Sequence, residues 1–362
     1  MVASRVSEIL TIASRTGVYE VVFDDDALEH LDSDVAAETH FIIDERIAEL
    51  YGDALENVLS APSVLRLKAE EPAKSLECFP AYVEHLVERG MRRDHKLVAI
   101  GGGIIQDITC FLAATLLRGV EWHFYPTTLL AQADSCIGSK SSINCGDAKN
   151  ILGTFTPPQR IHLSTRFLDT LDRTDVRSGV GEMLKVHAID GPSSFDRIAA
   201  DYQRMFLDKS VMINYIRRSL SIKKAYIEKD EYDRGPRNIF NYGHSFGHAI
   251  EAATEFAVPH GIAVTIGMDM ANYIAAELGV GTADHRERMH AVLATNYCGF
   301  ANHSVPLQKF MAAIGKDKKN VGASSVTLIL PDAEGRVFKD TYPRDGTFEA
   351  ACAEYLAKGR SV

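Results

Sequence analysis

The run Asn241-Tyr242-Gly243-His244-Ser245-Phe246-Gly247-His248-Ala249-Ile250-Glu251, followed by Pro259-His260-Gly261, sets three histidines and a carboxylate among apolar residues and glycines. Burying such groups costs free energy unless something satisfies their polar atoms. A divalent metal does so, because neutral imidazole is the commonest protein ligand for zinc. His244 and His248 stand one helical turn apart, so spacing alone makes them a ligand pair on one face. The zinc-protease pattern H-E-x-x-H is absent, since Ser245 and Phe246 occupy the middle positions. That argues against a peptidase. Glu182, in Gly181-Glu182-Met183-Leu184-Lys185, is a carboxylate on an otherwise apolar helix face. It reads either as an oxygen ligand or as an exposed helix acid.

A second feature is Lys96-Leu97-Val98-Ala99-Ile100 running into Gly101-Gly102-Gly103 and a helix-like segment with Asp107. Glycines there permit close backbone approach, and the free N–H groups of a helix start attract phosphate. This is either a pyrophosphate cradle for a dinucleotide or a tight turn without a ligand; it is not the GxGxxG fingerprint. Pro126-Thr127-Thr128 after the next strand adds hydroxyls suited to ribose or phosphate. Around Lys140 and Lys149 lie Gly138, Ser139, Ser141, Ser142, Asn144 and Asn150. A polar, cationic loop poor in acidic residues suits a phosphate monoester.

These residues need elements to position them. Val18–Phe23, Thr39–Ile43, Val64–Leu67, Lys96–Ile100 and Glu121–Tyr125 read as strands, alternating with helices at Asp44–Tyr51, Ser75–Arg89 and Ile104–Leu117. Such alternation predicts an α/β layer with parallel strands. From about Asp172 amphipathic segments dominate: Val176–Val186, Asp208–Lys229, Ile239–Thr254, Ile262–Leu278 and His285–Tyr297. Ser325–Leu330 and Arg336–Asp340 read as a hairpin about Pro331–Gly335. The expected organisation is an α/β dinucleotide-binding domain over 1–171, then a mostly α-helical metal- and substrate-binding domain over 172–362.

Composition limits the remaining classes. The 362 residues are 46% hydrophobic and 24% charged, as in ordinary globular proteins. No apolar run is long enough to span a bilayer, and no secretory signal is visible. The six cysteines show no C-x-x-C pair, which fits idle thiols in a reducing cytoplasm. A formal net charge of -10 repels nucleic acid and anionic lipid, so an anionic small ligand needs a local cluster of Lys and Arg.

Taken in order, these motifs resemble the dehydroquinate synthase family of sugar phosphate cyclases across essentially the whole chain. The match runs from Asp44 and Glu71-Pro72-Ala73-Lys74-Ser75, through the glycine turn with Asp107 and Arg118-Gly119, to Pro126–Ala131 and Asp134. It continues with Lys140, Lys149-Asn150, Glu182 with Lys185, Lys223, Arg237 and the histidine motif. The resemblance implies that Glu182, His244 and His260 hold zinc or cobalt, and that His248 serves the substrate rather than the metal. It implies NAD over Gly101, Gly102 and Gly103, with Asp44, Glu71, Lys74, Asp107, Thr127, Thr128, Lys149 and Thr170 around it. Lys140, Asn150, Asn241 and His248 would hold a phosphate, Arg118 would reach that site from a second copy in a homodimer, and Lys223 and Arg237 would hold a carboxylate. Asp134 and Lys185 complete the implied catalytic set, and one lysine of Lys316, Lys318 and Lys319 would close over the substrate.

The implied activity is that of a phosphate-eliminating carbon–oxygen lyase of the shikimate pathway. 3-Deoxy-D-arabino-heptulosonate 7-phosphate, a phosphorylated seven-carbon sugar acid, would give 3-dehydroquinate by transient oxidation, phosphate loss, re-reduction and aldol closure. Alternatives are a cyclase for sedoheptulose 7-phosphate or another sugar phosphate, and a metal-dependent polyol dehydrogenase. Gln106 and Cys110 stand where the family's ordinary members carry glycines, and Gly138–Asn144 also departs, which marks a divergent branch. Retention of Lys223, Arg237 and Asn241 favours a carboxylated substrate.

Overall fold

The computed structural model describes residues 8–33, 35–146, 148–316 and 324–360. The chain divides into two compact units, residues 1–171 with 223–232, and residues 172–222 with 233–362. The segment Lys223–Tyr232 thus breaks the continuous division at 171/172 that composition suggests. The helix Lys209–Ile227 runs through this boundary without a change in pattern, so periodicity carries no mark of it.

The first unit holds nine strands among its described residues: β1 (Glu8–Ser14), β2 (Gly17–Phe23), β3 (Thr39–Asp44), β4 (Val64–Leu67), β5 (Lys96–Gly101), β6 (Glu121–Pro126), β7 (Ile143–Cys145), β8 (Ala148–Leu152) and β9 (Arg160–Leu163). Seven form one sheet in the order β1-β2-β9-β6-β5-β3-β4, and β7 pairs with β8. Within the seven-stranded sheet only β1 runs antiparallel to its neighbour, and β7 and β8 are antiparallel to each other. β3 and β5 are buried along almost their whole length, as strands covered on both faces must be, which is why both read as unbroken apolar runs. Phe41, Ile43, Val98 and Ile100 pack with Leu28, Ile47, Val58 and Phe167 in the core.

Strand order fixes where a ligand can enter. β3 leads to β4 on one side, whereas β5 leads to β6 on the other. The carboxyl ends of β3 and β5, which bear Asp44 and Gly101, therefore flank a topological switch point, where open parallel sheets bind ligands. β1 and β9 escape a sequence reading: β9 has four residues, and edge strand β1 is largely exposed.

Residues 223–232 complete this unit with polar contacts. Lys223 Nζ lies 2.7 Å from Asp134 Oδ1 and donates to the Asp134 carbonyl at 2.6 Å. Glu231 accepts from Ser14 Oγ at 2.5 Å and from the Arg15 amide at 2.9 Å, at the β1–β2 turn.

The second unit is built on helices Arg173–Ile189, His244–Ala253 and His260–Glu277, with Ala283–Tyr297, Leu307–Gly315 and Gly346–Glu354 around them. The strands β10 (Ser325–Pro331) and β11 (Val337–Pro343) form the expected hairpin. Asp172 caps the first helix by accepting from the Asp175 amide at 2.9 Å. The expected continuous helix over Ile239–Thr254 is broken. Pro236–Asn241 forms a 3-10 turn, Gly243 adopts φ +76°, and a new helix begins at His244. The helix expected over Ser75–Arg89 likewise begins only at Phe79, after two short 3-10 turns. No helix among the described residues is long and apolar enough to cross a membrane.

Glycines let the three central helices approach backbone to backbone. A Cβ on Gly261 would fall 1.9 Å from the Ser178 carbonyl oxygen, one on Gly267 2.1 Å from the Gly243 oxygen, and one on Gly181 2.4 Å from the Gly261 oxygen. Real Cβ atoms do not come so near backbone, so only glycine fits at these crossings. Glu182, His244 and His260 each adjoin one of these glycines or the backbone it meets. The packing that closes the helices is the packing that gathers the three side chains.

Candidate active site

In the second unit Glu182 is 1% exposed and lies in the middle of its helix. Its Oε1 faces two imidazoles, His260 Nε2 at 3.3 Å and His244 Nε2 at 3.8 Å. Its Oε2 meets Lys185 Nζ at 2.5 Å. Neither oxygen has a donor in good hydrogen-bond geometry. The alternative of an exposed helix acid is thereby corrected. Burial works against the Glu182 charge, but Lys185 and His260 outweigh it and hold the carboxyl well below its usual range.

The far side of each ring is also engaged. His244 Nδ1 lies 3.2 Å from the Tyr242 carbonyl, and His260 Nδ1 lies 3.2 Å and 3.3 Å from the two Glu251 oxygens. A proton on Nδ1 of each ring leaves the Nε2 lone pair free toward Glu182, the tautomer a metal ligand needs. Burial alone would lower the His260 pKa, but Glu182 and Glu251 on either side raise it to about 10. Two carboxylates therefore demand positive charge there, whether a proton or a metal ion. His248 is exposed on the helix that His244 begins, and one ligand atom from each of His244, His248 and His260 lies within 4.8 Å of the others. Spacing thus named a reachable pair, but Glu182 faces His244 and His260.

Lys185 is buried and sits 5.8 Å from the Phe240 ring centroid. Arg237 is buried in the 3-10 turn before the helix, and the Asn241 side chain donates to the Asn238 carbonyl at 3.0 Å.

In the first unit Gly101 ends β5, and Gly102 precedes the helix Gly103–Thr115 without a side-chain cap. The Thr127 amide donates to the Gly101 carbonyl at 2.9 Å, and Thr128 packs over Gly102. A Cβ on Gly103 would meet nothing within 4 Å, so open space lies over the helix start. Asp44 caps the helix Glu45–Leu50 by accepting from the Arg46 amide at 3.0 Å. Thr170 is bonded to Tyr51 Oη at 3.0 Å.

A polar cluster centred on the buried Lys74 lies beside the turn. Lys74 Nζ is 3.1 Å from Asp107 Oδ2, 3.6 Å from Glu71 Oε1, and donates to Asn150 Oδ1 at 2.9 Å. Burial pushes the Asp107 carboxyl up to about 6 against the opposing pull of Lys74. Asn144, expected in the polar loop around Lys140 and Lys149, ties Glu71 to the Asn150 amide at 2.9 Å and 2.8 Å.

Lys140 and Lys149 are exposed, and the expected loop around Lys149 is the β7–β8 hairpin. Arg118 is exposed on a turn where Leu117, Arg118 and Gly119 all have positive φ. Lys316 ends a described segment, whereas Lys318 and Lys319 lie outside the described residues. The departures at Gln106 and Cys110 are locally accommodated. Gln106 and Ser135 exchange hydrogen bonds at 2.6 Å and 2.7 Å, and the Cys110 thiol is buried against the Thr156 carbonyl. Glu251 was visible only as a carboxylate within the histidine run; its contact with His260 spans nine residues and a helix break.

Residues 64–178 match the family model described as 3-dehydroquinate synthase N-terminal, and residues 179–320 the model described as 3-dehydroquinate synthase C-terminal. The chain is 33% identical over 300 residues to a 3-dehydroquinate synthase of Alkaliphilus metalliredigens (strain QYMF), spanning 82% of this chain and 84% of that one. Among solved structures, 2-deoxy-scyllo-inosose synthase complexed with carbaglucose-6-phosphate, NAD+ and Co2+ superposes with a TM-score of 0.82 at 22% identity, covering 96% of this chain and 99% of that one. A 2-epi-5-epi-valiolone synthase from Streptomyces hygroscopicus subsp. jinggangensis, with NAD+ and Zn2+ bound, gives 0.81 at 25% identity, with the same coverage of 96% and 99%.

Proposed function

Because the chain belongs to the 3-dehydroquinate synthase family, we propose that it is a cytoplasmic 3-dehydroquinate synthase releasing phosphate from 3-deoxy-D-arabino-heptulosonate 7-phosphate. The broader activity, a sugar phosphate cyclase of the dehydroquinate synthase type, follows from its relatives. The observation that carries the proposal in this chain is a buried Glu182 facing two imidazoles whose other nitrogens are both engaged.

Glu182, His244 and His260 would hold zinc or cobalt, a carboxylate–imidazole set that leaves positions open for substrate oxygens. The metal would supply a Lewis acid for adjacent hydroxyls, and NAD a hydride acceptor that is restored in each turnover. The glycine turn Gly101–Gly103, with open space over Gly103 at the helix start, would take the NAD pyrophosphate, with Asp44, Glu71, Lys74, Asp107, Thr127, Thr128, Lys149 and Thr170 around it. Lys140, Asn150, Asn241 and His248 would hold the substrate phosphate, joined by Arg118 of a second copy in a homodimer. Exposure of Arg118 on a strained turn is consistent with that role. Lys223, whose Nζ lies 2.7 Å from Asp134, and Arg237 would together hold the substrate carboxylate. Lys185 would steady the Glu182 charge and could hold or return a proton at Nζ.

Glu251 would orient His260 as a metal ligand through Nδ1. Glu251→Gln keeps its shape but loses its charge. Metal affinity, measured by competition with a chelating dye, is expected to fall about 10–100-fold, the usual cost of losing such a partner. Unchanged affinity would remove Glu251 from this role.

The decisive test is phosphate release with NAD and zinc, using 3-deoxy-D-arabino-heptulosonate 7-phosphate in one assay and sedoheptulose 7-phosphate in another. Phosphate from the first without accumulating NADH is the expected result. Phosphate from the second alone would move the chain to another cyclisation. NADH accumulating with polyols, and no phosphate, would make it a dehydrogenase.

A further inference from the structure

We propose that the second unit carries a separate binding site for a small organic phosphate, in an arginine-lined cavity of about 640 Å³ away from the Glu182 cluster's side chains. Its walls come from the helices Pro192–Ala200, Tyr202–Met205 and Lys209–Ile227. On the long helix Val211, Asn214, Arg218 and Ser221 recur at three- and four-residue steps and form one stripe facing the cavity. The volume lies in the range of small-molecule sites.

Charge points to the class of ligand. Arg197, Arg204, Arg217 and Arg218 line the cavity, against one lining carboxylate, Asp201. Asp201 is itself committed twice, accepting from Arg204 at 2.6 Å and from Tyr215 Oη at 2.9 Å. Arg218 leans on Asp190 just outside, at 3.3 Å. Arg204 and Arg218 are each paired with a single carboxylate, Asp201 and Asp190, whereas the several oxygens of a phosphate can bridge more than one guanidinium at a time. All four cations are arginine, none lysine, and the planar fork of arginine matches the oxygens of phosphate two at a time. Val211 and the Tyr215 ring give the floor an apolar portion, suited to the carbon body of an organic phosphate rather than to a bare ion. The cavity is open to solvent, so binding must weaken as salt rises.

The site touches the helix that bears Glu182. The Tyr215 ring packs edge-on against His187, centroids 5.4 Å apart, and His187 lies on Arg173–Ile189. None of the residues invoked belongs to the proposed metal, NAD or substrate sets, so the two readings can fail independently.

Hydrogen–deuterium exchange on the full chain tests the proposal, with fructose 1,6-bisphosphate as probe. Peptides covering residues 197–221 should be protected, and Arg204→Gln/Arg218→Gln should weaken the apparent affinity about tenfold or more, as expected on losing charge-assisted contacts. Both arginines are exposed, so the variant should fold and keep its phosphate-release activity, reported as a separate reading. No protection of these peptides, equal affinity in the variant, or the same protection from sodium chloride at matched ionic strength would overturn the site.

Discussion

Replacing His260 by alanine is expected to remove the bound metal and the activity together. The imidazole stands between two carboxylates, with Nε2 3.3 Å from Glu182 and Nδ1 3.2 Å from Glu251. Without it Glu182 keeps Lys185 at 2.5 Å, and that ion pair becomes its main contact. The two ligands that the proposal would leave, Glu182 and His244, would not define a catalytic site that needs three protein donors and an open position. Phosphate release should drop by about 10³-fold or more, a barrier increase of about 4 kcal/mol. Metal content measured by atomic absorption should fall to the level of the chelated protein. A fully loaded, active variant would sink the ligand assignment. Activity lost with metal retained would instead make His260 a substrate contact.

Gly261→Ala should have the largest effect on stability. Its Cβ would lie 1.9 Å from the Ser178 carbonyl oxygen and 2.6 Å from the carbon, and backbone cannot swing aside as a long side chain can. The helices Arg173–Ile189 and His260–Glu277 would have to part. Overpacking of this kind costs about 1–3 kcal/mol and occasionally more. For a unit of this size that corresponds to a fall in Tm of roughly 2–12 °C. Gly103→Ala is the matched control, because nothing lies within 4 Å of its Cβ. It should leave Tm nearly unchanged while weakening NAD binding if the pyrophosphate lies over that helix start. Equal melting of the two variants would refute the packing account of Gly261.

Much of the sheet was legible because parallel strands buried on both faces must be apolar throughout, as β3 and β5 are. The glycine turn was legible as a place for close approach, and the histidine run as a cost needing a ligand. Periodicity could not say which histidines Glu182 faces, because His244 and His248 share a helical face and His260 follows a break. Nor could it explain the glycines beside them. Those read as signs of a site, yet Gly181 and Gly261 are where two helices touch. β9, the Glu251–His260 contact and the arginine cavity depend on tertiary approach between segments that carry no local mark of one another. The roles of Arg118, Lys140 and Arg237 rest on resemblance, for the first two are exposed and the third lies in a turn with no periodic signal.

The segment Lys223–Tyr232 has a consequence for inheritance. The sheet-bearing unit is not a contiguous block of the gene. A fragment ending at Leu171 would encode every strand of the sheet and still leave the Asp134 carboxylate without Lys223 and the β1–β2 turn without Glu231. Recombination at a single crossover near codon 171 would separate these paired groups. Chimaeras between relatives should therefore tolerate exchange of the first unit only when residues 223–232 travel with it, so this protein would shuffle as an interleaved pair rather than as two modules in series.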